Sequence, residues 1–406
     1  MVQSLTDLQF GTGAQEARSI FFGRATAGRA SLRRTRQEPL TILWKIGGWN
    51  MHNDRRSLDE IRHWLHLLLP SPGYKRLLNF LPLALVGAVF SMSCHLNRIA
   101  VALVFAGSHR RFLQRLRRWI LRDTFAVDEV LLRAVRACLS PRREPIVLVV
   151  DRTEWGDHNL LYAAVPFRGR ALPVAVQSLP DGSTHHTRVA ALLDHAAAAL
   201  PPATPVIVVA DREFGNAHVI RVIRARGWHF CLRYKHDTRL QTLDGDRWQA
   251  RDRFPRCGQR RLWSDVLVQE ERSGPWRVAV FWGRGEKEPW VLVSDLPAER
   301  LVPLYRRRMR IEEMFSDLKS RGFNLEKTRL TDPHRLVRLA CLLALAYLWM
   351  LLLATVAIRR GHRRAVDFAR RRALSYLQIA RRLLRHHPLE VVGPLIRAAG
   401  HAQLAK

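Results

Sequence analysis

The sequence predicts an α/β protein in which a mixed sheet is flanked by helices. The chain has 406 residues, of which 48% are hydrophobic, so it can bury a large core. Apolar residues recur at helical spacing through residues 52–143, which are predicted to form helices only. From residue 144 the pattern changes to short runs rich in β-branched residues, which alternate with amphipathic stretches. A helical region followed by a central sheet accounts for these patterns.

The N-terminal part of the chain divides into two regions. Residues 1–50 are polar with little periodicity, and we interpret them as a disordered leader or an extension upstream of the true start. Residues 51–143 are predicted as a helical DNA-binding region. Two of its helices meet around residues 106–108 and resemble a helix-turn-helix unit, the second helix opening at His109. An ordinary helical hairpin with a basic outer face would give the same pattern.

Residues 144–360 are predicted as one domain with a characteristic order of elements. Three adjacent strands, EPIVLVVDRTEW, HNLLYAAVPF and RALPVAVQSL, are followed by a helix over residues 186–200. A second buried-type strand, TPVIVVADREFGN, a helix over residues 217–226 and a strand, WHFCLRYK, complete the series. Three strands, a helix, a strand, a helix and a strand are the order of an RNase H-like fold.

The rest of the chain adds three segments to this plan. Residues 236–288 predict a β-rich insertion, whose weak strand pattern leaves its extent open. Residues 336–358 are long and apolar enough to span a membrane, but the soluble pattern before them favours a buried core helix. Residues 361–406 form a basic region that is predicted to be helical throughout.

The charge of the chain points to a polyanionic partner. The formal net charge is +32 and the pI is about 11.5, mostly because of arginine. Such an excess repels itself unless nucleic acid or an anionic membrane surface neutralises it, although a GC-rich gene also increases arginine content. The five cysteines form no CxxC pair and no metal-ligand spacing. We therefore expect reduced thiols in a cytoplasmic protein.

Two aspartates are placed where carboxylates can share metal ions. Asp151 and Asp211 are each predicted to stand just past the C-terminal end of an apolar strand. With a third carboxylate, they could hold two hard cations roughly 3.5–4 Å apart for an in-line phosphoryl transfer. Aspartates after strands also occur in cofactor-binding folds. No Gly-rich phosphate loop follows either strand, which weakens that alternative.

A third motif lies in the segment LYRRRMRIEEMFSDLKSRG. Its residues Tyr305, Arg308, Glu312 and Lys319 are spaced by three, four and seven. On an α-helix these steps place all four side chains within an arc of roughly 60°. A face with a carboxylate, two cations and a phenol suits a phosphodiester held beside a metal. An exposed basic helix with accidental spacing is the alternative interpretation.

These motifs resemble those of the DDE transposases of the insertion sequence 4 family. The resemblance rests on DRTEW around Asp151, ADREFGN around Asp211 and a Y-x2-R-x3-E-x6-K signature matched at all four positions. It covers about residues 50–360. It implies that Asp151, Asp211 and Glu312 are catalytic and bind two Mg²⁺ ions, for which Mn²⁺ can substitute.

The resemblance also implies how the protein would hold DNA. Tyr305, Arg308 and Lys319 would grip phosphates near the transposon end. The family cuts through a DNA hairpin, with a flipped base stacked on an aromatic ring; the matching position is Trp290. The alternative for Trp290 is packing in the core. Other tryptophans in the insertion are weaker candidates: Trp248, Trp263, Trp276 and Trp282.

The predicted function is therefore that of a bacterial-type DNA transposase. It would bind the terminal inverted repeats of an insertion sequence, cleave there and join the ends to target DNA. We expect it to act on double-stranded DNA as a homodimer, in the cytoplasm near the nucleoid and without a membrane. Two alternatives remain at this point, a structure-selective nuclease of the same fold without strand transfer and an inactive DNA-binding relic.

Overall fold

The structure, a computed structural model, describes residues 51–69, 74–103, 107–121, 127–139, 143–268, 272–368 and 370–386. The predicted leader at residues 1–50 lies outside the described residues. So does the part of the basic C-terminal region that follows residue 386.

The first described part of the chain is helical. Its helices are α1 (Met51–Leu68), α2 (Lys75–Leu78), α3 (Leu81–Ser91), α4 (Leu96–Val101), α5 (His109–Leu121) and α6 (Val127–Cys138). His109 opens α5, as the sequence predicts, while residues 104–106 before it lie outside the described residues. Helix α3 is buried along nearly its whole length, and α1 packs against it.

Ten strands form one mixed sheet. They are β1 (Ile146–Trp155), β2 (His158–Phe167), β3 (Arg170–Ser178), β4 (Val206–Ala210), β5 (His229–Tyr234), β6 (Arg239–Thr242), β7 (Arg247–Gln249), β8 (Arg260–Val268), β9 (Ser273–Phe281) and β10 (Trp290–Ser294). Their order in the sheet is β3-β2-β1-β4-β5-β10-β9-β8-β6-β7. Strand β4 runs parallel to β1 and β5, and the other neighbouring pairs are antiparallel.

The first half of this order confirms the predicted fold class. Strands β1 to β3 form an antiparallel meander, and β4 and β5 add to it in parallel through helices α7 (His186–Ala197) and α8 (Ala217–Arg224). Apolar residues line both faces of β1 and β4, as expected for strands covered on both sides. This is the RNase H-like arrangement that the order of elements predicts.

The segment predicted as an insertion continues the same sheet. Strands β6 to β9 lie between β5 and β10 in the chain, and β10 pairs with both β5 and β9. The weak strand pattern of the sequence has a physical cause, since the outer part of β8 and the first half of β9 are largely exposed. Four strands form here nonetheless.

Helices α9 (Leu301–Tyr305) and α10 (Met309–Leu318) follow the sheet, and here the structure corrects an expectation. The sequence predicts one α-helix carrying Tyr305, Arg308, Glu312 and Lys319. A 3-10 turn over Arg306–Arg308 separates α9 from α10, and Lys319 lies beyond the last residue of α10. The four residues therefore do not lie on one continuous α-helix, and their side chains do not share one face of such a helix.

Helix α11 (Pro333–Arg359) is the longest in the described part of the chain. Among the described helices it is the one long and apolar enough to cross a membrane, with a mean hydropathy of 2.4 in its most apolar stretch. That stretch is 94% buried, and α11 packs against β3, α3 and α6. The expectation of a core helix is confirmed.

The C-terminal region departs from its prediction. Helix α12 (Tyr376–His386) packs on α11, but residues 360–375 form a loop with one 3-10 turn over His362–Ala365. The basic region is thus not helical throughout. Gly361, at φ 81°, ends the α11 segment in a left-handed conformation that stops the helix from continuing.

Candidate functional site

The pairing of three strands aligns the polar residues of the site. Val150 of β1 pairs with Ala210 of β4, and Ala210 pairs with Leu232 of β5. The next residue on each chain segment is polar: Asp151, Asp211 and Arg233. Asp211 stands just after β4, as predicted, but Asp151 lies inside β1, which continues for four residues beyond it. The parallel pairing of β1 with β4 ends at Val150, just before Asp151, although strand β1 itself continues.

A single guanidinium group connects the three predicted catalytic carboxylates. Arg308 donates hydrogen bonds to Asp151 Oδ2 and, at 2.7 Å, to Glu312 Oε1. Its Nη2 also lies 4.0 Å from Asp211 Oδ2. Arg308 itself is buried, whereas Glu312 is about half exposed. The chain thus brings Asp151, Asp211 and Glu312 around one buried positive charge.

The other signature residues also contact protein groups at this site. The Tyr305 hydroxyl donates to Asp211 Oδ1 at 2.9 Å. Lys319 Nζ donates to the backbone carbonyl of Glu154 at 2.9 Å and lies 5.2 Å from the ring of Trp155. Two of the three residues predicted to grip DNA, Tyr305 and Arg308, therefore hold carboxylates of the predicted catalytic set, and Lys319 contacts β1 three residues beyond Asp151.

The electrostatics of the two aspartates differ. Burial raises the pKa of Asp151 to about 7, against the opposing charge of Arg308. Burial also acts on Asp211, but the charges of Arg308 and Arg233 and the hydrogen bond from Tyr305 outweigh it, so its pKa is lowered. Burial by itself would lower the pKa of Arg308, but the surrounding carboxylates raise that pKa above its ordinary value. Two neighbouring carboxyl groups with pKa values moved in opposite directions are typical of functional sites.

A second set of ion pairs supports the first. Arg233 donates to Glu288 Oε1 at 2.6 Å and lies 3.6 Å from Asp211 Oδ1, while Arg212 donates to the same Glu288 oxygen at 2.8 Å. Neither Arg233 nor Glu288 is predicted as a site residue from the sequence. The only signal for Arg233 is an arginine that interrupts the buried strand WHFCLRYK, and its partner is 55 residues away.

The two aspartate motifs are also joined to each other. Arg152, which follows Asp151, lies 3.1 Å from the carboxylate of Glu213, which follows Asp211 by two residues. Its other contacts are Asn159 at 2.8 Å and Glu154 at 3.0 Å. Close backbone packing holds the second motif in place, because a Cβ added at Gly215 would collide with the carbonyl of Arg233. Glu154 and Glu213 therefore serve the site as ion-pair partners of Arg152.

The position of Trp290 favours packing in the core. Its side chain is 6% exposed, and its ring lies 5.0 Å from the ring of Tyr305 and 5.6 Å from that of Phe281. A base could reach the ring only if these neighbours moved. Trp290, the first residue of β10, therefore packs against the ring of Tyr305 and stabilises its position.

The carboxylates suit a hard cation by their chemistry. Oxygen ligands are those that Mg²⁺ and Mn²⁺ prefer, and three carboxylates converge on Arg308. Among the described residues, no three His, Cys, Asp or Glu side chains are grouped closely enough to hold a metal ion directly. The reason at this site is that the guanidinium lies between the carboxylates.

Comparison with known proteins gives the family of the chain. The family model for the transposase DDE domain matches residues 142–349, which include all three carboxylates. The chain therefore belongs to the transposase DDE domain family. A solved structure similar to this chain is that of the piggyBac transposase synaptic complex with hairpin DNA, with 10% sequence identity and a TM-score of 0.39. The similarity covers 91% of this chain and 84% of that chain. No curated protein matches the chain.

Proposed function

We propose that this protein is a DNA transposase that cleaves the terminal inverted repeats of an insertion sequence and joins the ends to target DNA. The observation that carries the proposal is the register of β1 and β4, which sets Asp151 beside Asp211 and lets Arg308 link both to Glu312. Membership of the transposase DDE domain family supports the same conclusion.

The residues of the site divide into two roles in this proposal. Asp151, Asp211 and Glu312 would hold two Mg²⁺ ions, or Mn²⁺ in their place, and the ions would supply activation of a water or 3′-hydroxyl and stabilisation of the leaving oxygen. Tyr305, Arg308 and Lys319 would turn from their protein partners to phosphate oxygens. The Nε of Arg308 supports this, because it is buried and has no hydrogen-bond acceptor in the described structure. A phosphate oxygen would satisfy it.

The proposal includes an assembly and a location. Two transposon ends must be held together for joining, so the active species would be a homodimer on double-stranded DNA. The net charge of +32 suits such a polyanionic substrate. The protein would act in the bacterial cytoplasm, close to the nucleoid.

The decisive experiment replaces each carboxylate separately. Cleavage of end-containing DNA in Mg²⁺ is measured for Asp151→Ala, Asp211→Ala and Glu312→Ala. Each variant should lose activity by about a thousandfold or more, because each removes a ligand from a shared site. Binding of the end DNA should survive, since it depends on other residues.

The matched control is Glu313→Ala. Glu313 is adjacent to Glu312 but pairs with Arg170 at 3.0 Å, away from the carboxylate set. It should retain most cleavage. Equal loss in Glu312→Ala and Glu313→Ala, or robust cutting by Asp211→Ala, would contradict the assignment. Cleaved ends without joined product under conditions that support synapsis would instead indicate a nuclease.

A further inference from the structure

A basic loop joins the core helix α11 to α12. Residues 360–375, which we call the arginine loop, are described except for residue 369. The loop contains six arginines and a single acidic residue, Asp367. Five of the arginines are exposed: Arg360, Arg364, Arg370, Arg371 and Arg372.

The conformation of the loop is fixed from inside. The carboxylate of Asp367 has no exposed surface and accepts hydrogen bonds from the backbone N–H groups of Phe368, Ala373 and Leu374. Its ion-pair partner Arg363 lies 3.3 Å away and also donates to two backbone carbonyls of the loop. The only acid is therefore turned inward. Its oxygen atoms accept hydrogen bonds from the loop backbone and pair with Arg363.

An exposed aromatic side chain accompanies these arginines. Phe368 follows Asp367 and is 65% exposed, the largest value among the exposed large hydrophobic residues of the described chain. Beside it lies a groove of about 610 Å³ whose lining includes Arg364, Arg382 and His386. An apolar side chain displayed among cations is typical of proteins that press a wedge against bases or sugars while arginines hold the phosphates.

The loop lies away from the carboxylates. The ring of Tyr376, at the start of α12, is 6.4 Å from that of Phe167, where β2 ends, and Arg372 stacks on Tyr376 at 4.8 Å. Asp151 is paired with Tyr162 on β2, and the turn after β2 begins six residues further on. At about 3.4 Å per residue, the turn beside the loop is about 20 Å from Asp151.

We propose that the arginine loop is a second DNA-binding surface that holds duplex DNA away from the reacting phosphate. Its role in transposition rests on the proposed function. The helical repeat of DNA is about 34 Å, which exceeds the separation of about 20 Å along β2, so the distance itself does not prevent one duplex from contacting both the loop and the carboxylates. An anionic membrane surface fits less well, because the apolar side of α12 is buried in the protein and Phe368 is the one large hydrophobic side chain exposed by the described residues of the loop.

The test separates charge from the aromatic contact. Binding of the full-length protein to a labelled duplex without end sequences is measured by fluorescence anisotropy over a range of salt, in EDTA so that no chemistry occurs. A triple variant, Arg370→Gln, Arg371→Gln and Arg372→Gln, should weaken binding at least about tenfold. It should also reduce the slope of log K against log salt by about 2 to 3, since each lost phosphate contact removes about 0.9.

Phe368→Ala should behave differently. It should weaken binding by about fivefold to tenfold and leave the salt slope unchanged, because an apolar contact releases no counterions. Asp367 and Arg363 are kept in both variants so that the loop retains its shape, and thermal denaturation confirms that the protein is folded.

The matched control removes the same charge elsewhere. The control variant combines Arg247→Gln, Arg251→Gln and Arg272→Gln. These three arginines are exposed and lie near the edge of the sheet formed by β6 and β7. If this triple weakens binding as much as the loop triple, the effect is one of net charge and the proposal is wrong. Loss of binding to phosphatidylserine vesicles in the loop triple with unchanged DNA affinity would also overturn it.

The two proposals fail separately. Loop-dependent DNA binding in a protein that never cleaves DNA would support the loop surface and contradict the transposase mechanism. Cleavage that depends on the three carboxylates, with DNA affinity unaffected by the loop variants, would support the transposase mechanism and contradict the loop surface.

Discussion

Arg308 is the residue on which the arrangement of the site depends. Its guanidinium contacts Asp151 and Glu312 and approaches Asp211, and it is almost fully buried. Three carboxylates around one point repel one another unless a cation lies between them. In the proposed mechanism that place is shared by the guanidinium and the metal ions. With Asp151, Asp211 and Glu312 holding metal ions, the Arg308 guanidinium would turn toward a phosphate oxygen.

The first prediction concerns Arg308→Ala. Without metal, this variant should lose about 3–5 kcal/mol of stability, because it leaves the buried carboxylate of Asp151 without its partner. Mg²⁺ should then raise its melting temperature more than it raises that of the wild type. Thermal denaturation with Mg²⁺ and with EDTA measures both effects. Arg306→Ala is the control, since Arg306 is exposed and lies 5.2 Å from the Phe281 ring. An equal response to Mg²⁺ in Arg308→Ala and the wild type would refute the shared position.

The second prediction concerns Trp290. Because its ring packs against Tyr305 and Phe281, Trp290→Ala should cost about 3–5 kcal/mol of unfolding free energy, and Trp290→Phe much less. Trp282→Ala, which alters a more exposed ring of the same sheet region, should cost under about 1 kcal/mol. Chemical denaturation measures all three. A stable Trp290→Ala protein that fails only on hairpin DNA would restore the base-stacking role.

Sequence patterns locate the carboxylates but not their partners. Asp151 and Asp211 follow apolar runs that any parallel strand shows, so strand periodicity is enough to find them. Arg233 and Glu288 meet only because β5 and the connection before β10 become neighbours in the folded sheet. No local propensity carries that information, since the two residues are 55 positions apart.

At the scale of elements, the segment from Leu301 to Lys319 shows where spacing arguments fail. A constant step of about 100° per residue requires an uninterrupted α-helix. The 3-10 turn at Arg306–Arg308 changes that step, and the contacts of Arg308 with Asp151, 157 residues away, favour its position there. The functional grouping predicted from the signature survives because the side chains are drawn together by tertiary contacts.

The third prediction concerns the pairing of α10 with β3. Arg170, the first residue of β3, donates to Asp317 of α10 at 2.7 Å, and the Asp317 side chain is 4% exposed. Burial raises the pKa of Asp317 to about 6, against the opposing charge of Arg170. The folded protein therefore binds a proton more readily than the unfolded chain between about pH 4 and 6. Its stability should fall as pH rises through that range.

The change expected from Asp317 is on the order of 3 kcal/mol, since each pKa unit corresponds to about 1.4 kcal/mol. Urea denaturation from pH 4 to pH 7 should show this decline in the wild type and a flatter profile in Asp317→Asn. Glu313→Gln provides the control, because Glu313 contacts the same arginine from a much more exposed position. Identical profiles for Asp317→Asn and the wild type would mean that Asp317 does not titrate in this range.

At the scale of the molecule, strands β1 to β5 of the sheet could be predicted from the sequence, whereas its continuation through β6 to β9 could not. Strands β1 to β5 are fully or nearly fully buried runs whose length and turns identify them. Strands β6 to β9 are shorter or half exposed, so their pattern is weak, and their place in the same sheet depends on β10 joining β5 to β9. Pairing between distant strands is decided by the whole fold rather than by the local sequence.

The last prediction follows from the net charge of +32 on 406 residues. Like charges at this density oppose the compact state, and added salt screens them. The Debye length falls from about 30 Å at 0.01 M to about 10 Å at 0.1 M. The melting temperature without DNA should therefore rise by about 2 °C or more over this range, which corresponds to roughly 1 kcal/mol. DNA affinity should fall over the same range, because counterion release weakens as salt increases. Differential scanning calorimetry and anisotropy, performed in the same buffers, measure the two trends.

The opposite signs are the key result, since general stabilisation by salt would not weaken DNA binding. A melting temperature that falls with salt would show that attractive ion pairs, such as those around Arg308 and Arg170, outweigh the repulsion among the exposed arginines.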